Sequence, residues 1–213
     1  MSGRPSGSTI AGCIAAPADD LCLQFVNTRY WRGSEAPVEQ LRAIADVVQF
    51  AATGGVDAAI TEAIAAHWRD HPAAAELAFA AAVELRETLH RVFVAAAGGG
   101  APAPADLAAL NAGLGSAGRR EAMRVRDGGY AWETALPGRN AVSLLSPVLW
   151  SAADLLAGPR RPRVRQCANP RCGWLFLDGT KGGNRRWCSM SACGNREKAH
   201  RHYLKHKRPA AER

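Results

Sequence analysis

The sequence predicts an α+β protein: a helix-rich N-terminal domain with a small β-hairpin or sheet, followed by a small cysteine-stapled C-terminal module. Three observations predict it. Apolar residues recur at three and four through most of the chain before Gly158. One stretch, Arg119 to Leu136, alternates instead on both sides of Asp127-Gly128-Gly129. Past Gly158-Pro159-Arg160-Arg161-Pro162 the composition shifts, and four of the chain's 6 cysteines follow within a short stretch.

The elements follow in order. Residues 1–17 are polar and glycine-rich and predict a loose segment without the apolar core of a signal peptide. Asp19 or Asp20 can cap a helix carrying Leu21, Leu23, Phe25 and Val26. Pro37 suits the first turn of a second helix, whose stripe is Leu41, Ile44 and Val48 and which Gly54-Gly55 stops. Asp57 caps a third, closed by His71-Pro72. The longest helix carries Leu77, Ala81, Leu85 and Leu89 or Val92 at helical spacing and ends at Gly98-Gly99-Gly100. A short helix follows Pro104. After the hairpin, Asn140 to Gly158 returns to helix, with Pro147 at a kink or first turn. The predicted domains are 18–158, for effector binding or assembly, and 160–208.

Charge divides at the same boundary. The chain carries a net +8 over 213 residues. From Pro159 onward there are 15 Lys+Arg and 3 Asp+Glu, a net of +12; the 12 basic and 16 acidic residues before it give −4. A basic tail on a mildly acidic body predicts a polyanionic partner, nucleic acid before a membrane surface. No apolar run of membrane-spanning length is present, and the reading is cytoplasmic with no membrane partner.

The cysteine spacing is Cys167-x4-Cys172-x15-Cys188-x4-Cys193. Two short-gapped pairs joined by a loop meet the needs of a tetrahedral zinc site. Each pair makes one chelate, and the loop lets both close on one ion. Two disulfides are the rival, disfavoured where no secretory signal precedes them. Arg163-Val164-Arg165 leads in as an extended segment. Gly173 to Leu177 reads as a strand, Asp178 to Gly183 as a turn, and Asn184 to Trp187 as the returning strand. Cys188 and Cys193 then open a helix over roughly Ala192 to His206. Knuckle, hairpin, helix is the treble-clef order. A module this short has little core, so one structural Zn²⁺ supplies much of its folding energy.

The last helix presents Lys198, Arg201, Lys205 and Arg208 within an arc of roughly 80°. Such a stripe tracks phosphates, and Arg185 and Arg186 add to it. Asn195 and Arg196 at the helix start can pair with bases in a major groove. Each also has a structural alternative: Asn195 as a cap or a bond to a ligand sulfur, Arg196 packed on Trp187 or bonded to a carbonyl.

Cys193-Gly194-Asn195-Arg196 spells CGNR, and with the four cysteines and Arg185-Arg186-Trp187 this segment resembles the CGNR zinc fingers. Leu21 to Trp31, LCLQFVNTRYW, is similar to the phrase that opens the ABATE domain, which precedes such fingers. The family is regarded as stress-related transcription regulators. The resemblance implies a treble-clef finger that binds DNA, behind an α/β domain.

Other residues carry weaker signals. Asn27, Thr28 and Arg29 follow an apolar helix and can line a pocket for a small effector; the alternative is a helix end held by side-chain hydrogen bonds. Cys13 and Cys22 read as ordinary small residues. Trp31, Trp132 and Trp150 read as core or interface. No nucleophile elbow, phosphate loop or His-Glu-x-x-His is present, and four thiolates close a zinc to substrate. The prediction is therefore not an enzyme but a DNA-binding transcription regulator, with an RNA-binding protein or a zinc-dependent protein-interaction adaptor as alternatives. If the stripe tracks phosphates, Arg201→Ala and Lys205→Ala each weaken binding about equally across sequences. Each also lowers the log–log salt slope by about one, read by anisotropy titration; unchanged affinity and slope in both would refute the stripe.

Overall fold

The structure is a computed structural model that describes residues 10–15, 18, 20–126, 128–136 and 138–207. Its first element is a strand, β1 (Ile10–Ala15), which corrects the expectation of a loose start. The segment lacks a polar–apolar alternation, so nothing local marks it. It is a strand because its backbone pairs along β5 and because Ile14, bridged to Val56, is fully buried.

Helix α1 (Leu21–Val26) buries five of its six residues and leaves only Gln24 exposed, so it is packed on nearly all sides. Asp20 stands at its N-cap without a side-chain capping bond, and Asp19 lies outside the described residues. Strands β2 (Arg29–Tyr30) and β3 (Val38–Glu39) pair antiparallel. Pro37 therefore precedes a strand rather than a helix. The reason is tertiary: the Glu39 carboxylate is held by Arg86, at 2.7 Å for one of the two bonds. Helix α2 (Ile44–Thr53) starts later, where the Asp46 carboxylate accepts from the amides of Arg42 and Ala43.

Helix α3 (Ala58–Asp70) is capped by Asp57 as the sequence predicts. Helix α4 (Pro72–Ala97) is the spine. Its buried stripe is Ala78, Ala82, Leu85, Leu89 and Val92, whereas Leu77 is 74% exposed; the predicted stripe was one position out over its first two turns. Helix α5 (Pro104–Ser116) follows. Strands β4 (Ala122–Arg126) and β5 (Gly129–Leu136) form the predicted hairpin, and the sheet order is β1-β5-β4. Helices α6 (Ala141–Leu144) and α7 (Ser146–Ala157) complete the layer, with Pro147 in the first turn of α7. The described residues hold no helix long and apolar enough to cross a membrane.

Past the basic boundary, β6 (Val164–Gln166) pairs antiparallel with β7 (Leu175–Leu177). The sequence predicted Asn184 to Trp187 as the partner of β7. That segment is diverted: the Arg185 amide donates to Asp178, and its guanidinium folds back to the carbonyls of Trp187 and Cys188. A π-type turn, Met190–Gly194, leads into α8 (Asn195–Lys207).

The cysteine module docks on the N-terminal layer. Val164 and Leu175 are fully buried in the same core as α1, α4 and α7. The Asn27 amide grips the β7 backbone twice: its Nδ2 donates to the Leu175 carbonyl at 2.7 Å, and the Leu175 amide donates to its Oδ1 at 3.0 Å. The Arg32 amide donates to the Cys172 carbonyl at 3.2 Å. His90 of α4 lies at the same seam, and burial lowers its pKa to about 4.

Asn27→Ala leaves a buried amide and carbonyl of Leu175 unpaired. The expected cost is about 2–4 kcal/mol, read as a lower urea midpoint of the zinc-loaded protein. An unchanged midpoint would show that water or a neighbour replaces the clamp.

Candidate metal centre and nucleic-acid interface

Local hydrogen bonds shape each half of the cysteine cluster. In the first knuckle the Cys167 amide donates to the Trp174 carbonyl at 2.8 Å and the Cys172 amide to the Asn169 carbonyl at 2.9 Å. The Asn169 side chain also accepts from the Arg171 amide. Gly173 follows at φ +70, a left-handed conformation that glycine adopts without strain. In the second half, Ser189 caps the π-type turn through the Ala192 amide. Gly194 packs so tightly that a Cβ would stand 2.6 Å from the Met190 sulfur.

These two halves bring four sulfurs together. All four Sγ atoms lie within 4.8 Å of one another. The Cys172–Cys188 and Cys188–Cys193 separations are each 3.7 Å. A tetrahedron with Zn–S bonds of about 2.3 Å has edges of about 3.8 Å, whereas a disulfide needs about 2.05 Å. The donor set therefore fits one structural zinc ion held by Cys167, Cys172, Cys188 and Cys193. The protonation chemistry agrees. Donation from the Cys188 thiol lowers Cys172 to about 5, while burial first, then its neighbours, raises Cys193 to about 11; four adjacent thiols do not all ionise without a cation between them. Zinc would offset two of the four thiolate charges, lock the cluster and supply no open coordination position.

Around the sulfurs lies a shell that the spacing did not reveal. The Asn169 Nδ2 points at the Cys193 sulfur at 3.6 Å, the role the sequence offered to Asn195. Trp31, Trp174 and Trp187 pack against the cluster. Trp31 comes from the N-terminal layer and has φ +55, unusual for a bulky residue.

The family model described as "ABATE: Putative stress-induced transcription regulator" matches residues 19–159, about two thirds of the chain. The chain belongs to the ABATE family. A second model, the CGNR zinc finger, matches residues 163–206. Neither description is that of an enzyme. No curated protein matches.

Within this ABATE-family chain the CGNR finger divides its cations into two groups. Arg185 is turned inward: it lies over the Phe176 ring at 4.5 Å and bonds two carbonyls. Arg196 lies over the Trp31 ring at 4.6 Å, so it packs on a tryptophan, though not on Trp187. Arg186 covers the Trp187 ring at 5.3 Å and remains exposed. Asn195 and Lys198 are exposed at the start of α8. The side chains of Arg201 and Lys205, and the whole of Arg208, lie outside the described residues.

The proposed effector residues are engaged elsewhere. Asn27 clamps β7, and the Thr28 hydroxyl donates to the Phe25 carbonyl and accepts from Arg86. Arg29, 41% exposed, faces Glu87 at 3.9 Å. Cys22 is buried beside Ser151, and burial raises its thiol to about 12, consistent with an inert core residue.

Asn169→Ala removes the amide donor to Cys193. The expected result is a fall in zinc affinity of about 10–100-fold, read by competition with a metallochromic chelator. Unaltered affinity would mean that the knuckle backbone alone tunes the site.

Proposed function

We propose that this ABATE-family chain is a DNA-binding transcription regulator that grips DNA through its CGNR finger. The observation that carries the reading is charge placement. The segment from Pro159 holds a net +12, and the zinc cluster anchors the start of its last helix, where Asn195 and Lys198 face solvent. Exposed Arg171 and Arg186 add phosphate-sized contacts on the same module. The family description, a stress-induced transcription regulator, supports the same reading. The domains are taken as 18–158, which β1 (Ile10–Ala15) joins through its pairing with β5, and 160–208; the protein is taken as cytoplasmic, and the closed four-thiolate site as structural rather than catalytic.

A small-molecule effector also has a place to bind. A hollow of about 540 Å³ lies between α4, α5 and α7, lined by Val92, Leu107 and Leu156, with Arg161 and Pro162 of the inter-domain linker in its wall. An apolar pocket that includes the linker supports the sensor role better than Asn27, Thr28 and Arg29 do. RNA binding rests on the same cations, and the adaptor reading would use them on an acidic protein surface.

Selection from a random duplex pool with zinc-loaded protein tests the reading. An enriched motif, with affinity falling steeply as salt rises, is the expected result; no retention at low salt would sink it. Asn195→Ala should relax preference at one position by about 1–3 kcal/mol, whereas a uniform loss would assign Asn195 a structural role.

A further inference from the structure

Beside the metal cluster a cavity of about 280 Å³ is lined by Tyr30, Trp31 and Trp174 together with Cys172, Cys188 and Cys193. It is not the metal's own space. A sphere the size of water cannot enter a tetrahedron whose sulfurs stand about 2.3 Å from the centre. Tyr30 and Trp174 meet edge to face, with centroids 6.0 Å apart at 67°. They make an aromatic corner, and Trp31 also lines the cavity. All three rings are only half-buried. Three tryptophan and tyrosine rings around a partly solvated cavity are not what core packing requires, since core aromatics pack against aliphatic neighbours and leave no void.

Trp31 joins this cavity to a second hollow of about 620 Å³, lined by Ser34, Asn169, Arg171 and Arg196. The two hollows differ in chemistry. The first is apolar and aromatic, and the second is more polar, with two guanidinium groups in its wall. Glu35 and Glu197 also line the second, so its cationic character rests on the surrounding module, where 15 basic residues face 3 acidic ones.

We infer that the aromatic cavity receives one unpaired nucleobase of a bound nucleic acid, with the neighbouring phosphates on Arg171 and Arg196. This deepens the nucleic-acid reading above and rests on it. A base is planar, fits a volume of this order, and stacks on any exposed aromatic face regardless of sequence. Its phosphates extend away from the base through the sugar, and the guanidinium-lined hollow shares Trp31 with the cavity. Aromatic cages also take quaternary ammonium groups, and the zinc-thiolate charge would favour one. The cations flanking Trp31, and Arg29 next to Tyr30 in β2, oppose a cationic guest, and the neutral base is favoured. The strained backbone of Trp31 has a role in this arrangement. It turns the ring so that one side chain from the N-terminal layer supports Arg196 and lines the base cavity together.

The test uses full-length zinc-loaded protein and three fluorescent probes of one sequence. These are a perfect duplex, the same duplex with a single bulged 2-aminopurine, and the single strand, each of about 12 nucleotides; single strands of DNA and RNA separate the two sources. The bulged duplex and a single strand should bind about tenfold more tightly than the perfect duplex, with 2-aminopurine emission quenched on binding. Compared at equal zinc occupancy, Trp174→Leu should remove that advantage, and Trp174→Phe should keep most of it. Equal affinity for all probes, without quenching, overturns the inference while leaving the nucleic-acid reading intact. Failure to bind any probe overturns both. Capture of a trimethyllysine peptide in the same cavity, lost in Trp174→Leu, would reassign it to a cationic guest and also overturn the inference.

Discussion

The Asn27 amide, buried at the end of α1, holds the β7 backbone by both a donor and an acceptor. With Val164 and Leu175 buried in the main core, it makes the zinc module part of the N-terminal layer rather than an appendage. An amide that pairs a strand's N–H and C=O mimics one rung of a sheet ladder. Neither group could stay unpaired at that depth without a cost comparable to a lost hydrogen bond.

A charged network reinforces the seam from beneath. Arg86, 1% exposed in the middle of α4, is bonded to Glu39, Glu87 and Thr28. Glu87 in turn binds Arg32, whose amide donates to the first knuckle at Cys172. A buried guanidinium with every side answered is costly to break and tolerates few geometries, so it fixes β2, β3 and the knuckle relative to α4. The zinc cluster closes the opposite side of the module. Metal and network therefore act on the same knuckle from two directions, and loss of either frees it in part.

The contact between Trp31 and Arg196 links the layers at the functional end. Arg196 opens α8, where Lys198 is also exposed, and the ring beneath it belongs to the N-terminal layer. The stacked pair adds to the Asn27 clamp and the Arg32 amide as a contact between that layer and the module. The apolar hollow walled by Arg161 and Pro162 touches the linker on another side.

Much of this chain was legible in its residues because the signals were local. Cysteine gaps, the breaker cluster at Gly158, the turn at Asp127-Gly128-Gly129 and the excess of arginine each lie within a few positions of what they determine. They gave the α+β class, the zinc ligands, the central hairpin and the basic module. Tertiary structure decided the rest. Asn27 finds its partner 148 positions away, β1 is a strand only because β5 is beside it, and Pro37 precedes a strand because Arg86 holds Glu39. Arg185 and Arg196 look like free cations in a list of letters, and become packing residues once a ring lies beneath them. Hydrogen bonds and ring contacts between distant segments depend on the closed chain, and no window of neighbouring residues contains them.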